Sequence, residues 1–219
     1  MDARPAGLAQ PARPGHLAGM DRASVNPAEI ERALRARSGG SSDFDLNPGF
    51  RPPAGRRLRP ASVLVPLVER GAGMGLVLTR RAALLRHHPG QVAFPGGKQD
   101  PEDATPLAAA LREAKEEIGL EGATILGALP THETVTGFVV TPFVALIPAG
   151  FVPRIDRAEV DEVFEVPLGH VTDPANFRIE GRLWQGQLRH YYVVPWGPHY
   201  IWGATARMLR MLADRMHPA

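Results

Sequence analysis

The segment from Phe94 to Leu120, FPGGKQDPEDATPLAAALREAKEEIGL, constrains this chain more than any other. It runs from a glycine turn through an acidic connector into a helical pattern. At about 100° per residue, Leu107 to Ile118 separates into two faces. Leu107, Ala110, Leu111, Ala114 and Ile118 form an apolar stripe suited to packing on a sheet. Glu113, Glu116 and Glu117 fall at i, i+3 and i+4, so their carboxylates share another face and point at one small volume. Gly119 marks the helix end, which leaves Glu116 and Glu117 in the last turn, where the helix dipole favours cations by about 0.3–1 kcal/mol each. Arg112 and Glu116 are spaced i, i+4 with the cation first, the weaker orientation. A turn that breaks several local rules calls for compensation from outside the helix, and a divalent cation supplies it. Magnesium, which prefers carboxylate and phosphate oxygens, suits these ligands.

The run Arg112 to Leu120, REAKEEIGL, resembles the second half of the Nudix box, the signature of hydrolases that cleave a nucleoside diphosphate linked to another moiety. The first half departs by one residue. The family's usual spacing puts the box glycine fourteen residues before the arginine, whereas Gly97 lies fifteen before Arg112. The usual mid-box glutamate has no aligned counterpart, and Asp103 or Glu102 takes that place at the start of the helix. An extension of this kind is similar to the coenzyme A pyrophosphatase branch. So is the preceding block: Leu78-Thr79, Arg81, Leu85-Arg86, His88 and Gly90 through Gly97. Ala82 stands where that branch has serine.

The resemblance implies an α/β (α+β) architecture, the Nudix fold, with a mixed β-sheet sandwiched between α-helices. It implies Mg2+ or Mn2+ held by Glu113, Glu116, Glu117 and the backbone carbonyl of Gly97, with Arg112 orienting a glutamate. The proton acceptor would be Glu116, Glu117 or an acid from a loop outside the box, for which Glu159 and Glu162 are the candidates. Arg81, Arg86, His88, Gln91, Phe94 and Gly96 would contact substrate, with the arginines near 80–86 facing a 3′-phosphate. The implied reaction is cleavage of coenzyme A or its thioesters to 3′,5′-ADP and 4′-phosphopantetheine or its acyl form. Hydrolysis of ADP-ribose, a dinucleotide polyphosphate or an oxidised nucleotide is the alternative within enzymes. A ligand-binding regulator without catalysis is the alternative of another class, but such modules commonly lose a box glutamate and all three are present here.

Composition narrows the partners. Twenty-five basic and 23 acidic residues leave a net charge of +2, and Lys98 and Lys115 are the only lysines. Arginine's planar fork suits phosphate, yet near-equal totals argue against a general polyanion binder, so no nucleic-acid partner is expected. The absence of cysteine excludes disulfides, thiolate metal sites and a cysteine nucleophile, and fits a cytoplasmic location. The uncharged run Thr134 to Pro153 contains Pro142, Pro148 and Gly150 and alternates like a strand, so no membrane span is expected. No continuous apolar core marks the first twenty residues as a secretory signal.

Along the chain, residues 1 to about 24 show no sustained period and suggest a mobile tail. Asn26 offers an N-cap with Pro27 at N1, and Ile30, Ala33 and Leu34 make a short amphipathic helix. A Gly/Ser/Asp-rich linker over residues 38–47 puts the start of the main domain at residue 46. Strands are predicted over 61–69 and 76–80 as a hairpin, and over 123–129, 138–147 and 163–167. A second hairpin joins 177–184 to 188–194. Pro142 predicts that its strand is an edge or carries a bulge. Glu133 and Thr136, in the connector before that strand, could face a ligand. A final helix over 201–216 places Ala204, Met208, Met211 and Leu212 on its apolar face, as core or as the surface of a homodimer.

Overall fold

The computed structural model describes residues 25–36, 39–50, 52, 55–85, 87–184 and 186–218. Helix α1 (Pro27–Leu34) opens on a capping box between Asn26 and Glu29, with Pro27 in the first turn. A two-residue strand β1 (Ser41–Ser42) leads to the long hairpin of β2 (Arg59–Arg70) and β3 (Gly73–Arg81), then to β4 (Val92–Ala93), β5 (Gly96–Lys98) and helix α2 (Pro106–Ile118). Strands β6 (Thr124–Ala128), β7 (His132–Glu133), β8 (Phe138–Ile147) and β9 (Val160–Pro167) follow. The chain ends with α3 (Leu168–Val171), a 3-10 turn at Pro174–Asn176, the hairpin β10 (Arg178–Trp184) and β11 (Gln187–Val193), and α4 (Gly203–Met216).

One mixed sheet runs β1-β7-β8-β2-β3-β4, with β6 also on β8, β5 also on β2 and β9 also on β3. Strands β2 and β8 are parallel from Arg59↔Phe138 to Val68↔Ile147. Side chains alternate across β2 and so define two cores. Val65 and Leu67 face one core with Leu76 and Leu78 of β3, Ile30 of α1, Leu168 of α3 and Leu209 and Leu212 of α4. Leu64 and Val68 face the other with Val77, Ala145, and Ala114 and Ile118 of α2. The mixed sheet is therefore sandwiched between α2 and the remaining helices, as the resemblance implies.

The edge or bulge expected of the strand that holds Pro142 needs correction, and two other expectations gain detail. Upstream of residue 46, Ile30 is fully buried in the main core, and β1 pairs with β7 through Ser41↔His132. Residues 1–24 lie outside the described residues. Strand β8 is interior, not an edge, because β2 flanks one side and β6 and β7 the other. Pro142 is tolerated where β6 gives way to β7. Its carbonyl accepts from Leu129 N–H at 2.9 Å, so its missing N–H faces the same break, and the bulge lies in the β6 pairing between Ile125 and Gly127. Met208 and Met211 are buried in the core of their own chain, the first of the two roles expected for that stripe. Among the described residues, no helix is long and apolar enough to cross a membrane.

Candidate active site

Thr105 caps α2, its hydroxyl accepting from Ala108 N–H at 3.1 Å, with Pro106 in the first turn. Gly119 closes the helix at φ 69°, and the N–H of Leu120 donates to the Ala114 carbonyl. The helix is rolled slightly from the expected stripe. Ala109, Ala110, Ala114, Glu117 and Ile118 are buried, while Leu111 is 36% exposed. That roll carries Glu117 inward, to 3% exposure, where its Oε2 accepts from Gly96 N–H at 3.2 Å.

The glycine turn is built for this approach. A Cβ on Gly96, whose φ is +149°, would lie 2.4 Å from the Ser62 carbonyl oxygen. A Cβ on Gly97 would lie 2.5 Å from Oε1 of Glu113. Arg112 fixes the other side of the helix. It donates to Asp103 through Nε at 3.0 Å and Nη2 at 2.9 Å, to Glu113 at 3.2 Å, to Glu116 at 2.9 Å and to the Lys98 carbonyl at 3.3 Å. Its hydrogen bonds and charge hold the Asp103 carboxyl below its usual range.

Among the described residues, Glu113, Glu117 and Glu159 form a group of acids that each bring one carboxylate oxygen within 4.8 Å of the other two. Burial, opposed by the Gly96 N–H and Arg81 and reinforced by Glu113 and Glu159, pushes the Glu117 carboxyl up to about 8. Burial also raises Glu113, against the pull of Arg112. The Arg81 guanidinium reaches 3.9 Å from Glu117. Three hard oxygen donors converging beside a turn that a Cβ would fill fit a divalent cation.

The expected acids divide. Glu113, Glu117 and Glu159 come together. Glu116 does not join them: its side chain is 60% exposed and paired with Arg112. Glu162 sits on β9, where Arg80 Nε donates to it at 3.0 Å. Among the predicted substrate contacts, Arg81, His88, Gln91, Phe94 and Gly96 all line one cavity of about 560 Å³. Burial and the charge of Arg81 lower the His88 pKa. Arg86 lies outside the described residues. Thr136 lines the cavity, whereas Glu133 is held by Arg56. Sequence reasoning missed Asp43 and the wall made by Arg182, Arg189, Tyr191, Trp202 and Arg207. These residues are distant from the box in sequence; the arginine and aromatic content of the hairpin was the one visible signal.

The NUDIX domain family matches residues 58–185. The uncharacterised Nudix hydrolase NudL of Klebsiella pneumoniae (strain 342) is 44% identical over 165 residues, covering 71% of this chain and 81% of its own. NudL of Enterobacter sp. (strain 638) shows the same identity and coverage. Among solved structures, the Nudix hydrolase RenU of M. smegmatis is 25% identical with a TM-score of 0.44, covering 53% of this chain and 73% of that one. With a family match across more than half its length and 44% identity to curated Nudix hydrolases, the chain belongs to the Nudix hydrolase family.

Proposed function

We propose that this enzyme hydrolyses the diphosphate of coenzyme A or an acyl-coenzyme A, releasing 3′,5′-ADP and 4′-phosphopantetheine or its acyl form. The observation that carries the reading is that five residues of the coenzyme A-type block, Arg81, His88, Gln91, Phe94 and Gly96, line one cavity. Arg81 and Gly96 also touch Glu117, which ties that cavity to the carboxylates.

Nudix hydrolases generally use divalent metals, and Glu113 and Glu117 would hold the ion here, with the Gly97 carbonyl completing the set and Glu159 beside them as the base. When bound, Mg2+ or Mn2+ neutralises phosphate oxygens and lowers the pKa of the attacking water. The chain's own groups do the rest. Arg112 fixes Glu113 while leaving Glu116 at the solvent side. Gly96 N–H orients the Glu117 carboxylate, and Arg81 holds a non-bridging phosphate oxygen by a charge-assisted hydrogen bond. Glu159, exposed on its loop, accepts the proton as water adds to phosphorus and the bridging P–O bond breaks toward the leaving phosphate.

Incubation of purified protein with coenzyme A and magnesium, followed by mass identification of products, tests the substrate. Release of 3′,5′-ADP and 4′-phosphopantetheine is expected; intact coenzyme A beside rapid cleavage of ADP-ribose or a dinucleotide polyphosphate would replace the reading. The variant Glu117→Gln should lose about 10³-fold or more in kcat with an unchanged far-UV spectrum. Near-normal turnover by a folded Glu117→Gln protein would refute its role.

A further inference from the structure

We propose that the β10–β11 hairpin carries a second anion subsite, where Arg182 and Arg189 receive a phosphate monoester at the nucleotide end of the substrate. The identity of that group as a 3′-phosphate rests on the coenzyme A reading; its location rests on the hairpin.

Arg182 and Arg189 are direct partners across the antiparallel ladder. Like charges in that position destabilise a ribbon. This ribbon is a separate two-stranded sheet, the form least able to absorb such a cost. Both side chains line the 560 Å³ cavity, a volume within the range of nucleotide-sized pockets. Two further arginines line the cavity, each beside a carboxylate. Arg207 donates to Asp45 at 2.8 Å, and Arg81 lies against Glu117. Two acids lie close by: Glu180 of β10 accepts from the Tyr200 hydroxyl at 2.6 Å, and Asp43, on which the Arg189 charge acts, has its Oδ1 3.2 Å from His132 Nε2 while its Oδ2 accepts from Val135 N–H at 2.8 Å. Among the described residues, no carboxylate lies within ion-pair distance of Arg182.

A dianionic phosphate set against the two guanidiniums turns their repulsion into attraction, and each planar fork can bond two of its oxygens. Tyr191 and Trp202, whose rings meet edge to face at 5.2 Å, line the same cavity and give the adjoining base an aromatic surface. Arg81, beside Glu117, then serves the bridging diphosphate, and the hairpin arginines read the phosphate beyond it.

Calorimetric titration of the full chain, with magnesium present, tests the subsite using adenosine 3′,5′-bisphosphate and adenosine 5′-monophosphate. Neither ligand has a diphosphate to hydrolyse. The wild type should bind the bisphosphate at least about tenfold more tightly. Arg182→Gln, at an exposed strand position, and Arg189→Gln should each lose most of that preference while binding the monophosphate within about twofold of wild type. Arg182→Lys should keep part of it. No preference in the wild type, or equal losses for both ligands in the variants, overturns the subsite. Coenzyme A turnover by the same wild-type sample separates the two proposals. Preference without coenzyme A cleavage refutes the coenzyme A reading alone, and cleavage with equal losses refutes the subsite alone.

Discussion

Glu117 is nearly buried, faces two other acids, and keeps its proton to about pH 8 in the metal-free fold, with burial as the main cause. The unfolded chain ionises near the ordinary value of 4.5. Its native pKa is raised, so the unfolded state sheds the proton first as pH rises. The stabilisation is present below pH 4.5 and lost as pH climbs through about 8, on the order of a few kcal/mol. Urea unfolding in a chelator should therefore show falling stability between pH 5 and 8. Added magnesium, which would bind the ionised carboxylates, should raise the melting temperature more at the upper end of that range. A stabilisation that grows on acidification by magnesium would contradict the assignment. Gly97→Ala tests the same pocket sterically, since its Cβ would press on the movable Glu113 carboxylate, not on backbone. Stability should change little while metal affinity drops about 10–100-fold, measured by manganese titration. The residue types of the site were legible in the sequence, but the choice among glutamates was not. A period of 3.6 leaves the roll of α2 undetermined, and that roll buries Glu117 and exposes Glu116. Glu159 and Glu162 are separated by a register shift between Arg80 and Arg81, an event with no sequence pattern of its own.

At the scale of elements, the strong periods gave the long strands and both hairpins within a few residues of their ends. Strands β1, β4, β5 and β7, of two or three residues each, are too short to show alternation. They exist because longer neighbours offer edges, and β5 is the one that sets the glycine turn against α2. Pro142 misled the topology because its missing donor was assumed to need solvent, when a break between two partners serves equally. Thr105 is an N-cap that the acidic connector hid. Thr105→Ala should cost about 1 kcal/mol in denaturant unfolding, and the cost should be largely recovered in Thr105→Ser. An unchanged midpoint in Thr105→Ala would show that Pro106 and the Arg112 contacts alone hold the start of α2.

For the whole molecule, the linker-like composition before residue 46 concealed a packed N-terminal element. Isolated periodicity over eight residues says nothing about what a helix packs on, and here α1 packs on α4 and β6. The described chain from Val25 also carries Ser41, whose hydroxyl lies 2.8 Å from Nδ1 of the fully buried His132. A chain starting at residue 46 loses Ile30 and leaves that histidine without Ser41 and Asp43. It should unfold at a markedly lower urea concentration, because removing Ile30 alone is worth about 2–5 kcal/mol. An unshifted midpoint would support residue 46 as the boundary. One further consequence concerns Arg112, which also lies 3.5 Å from Asp100. By gripping both Asp100 and Asp103, it stitches the connector into a tab anchored at its two ends. A connector fastened at both ends to one arginine can lengthen between them without pulling the glycine turn away from the helix that carries the glutamates.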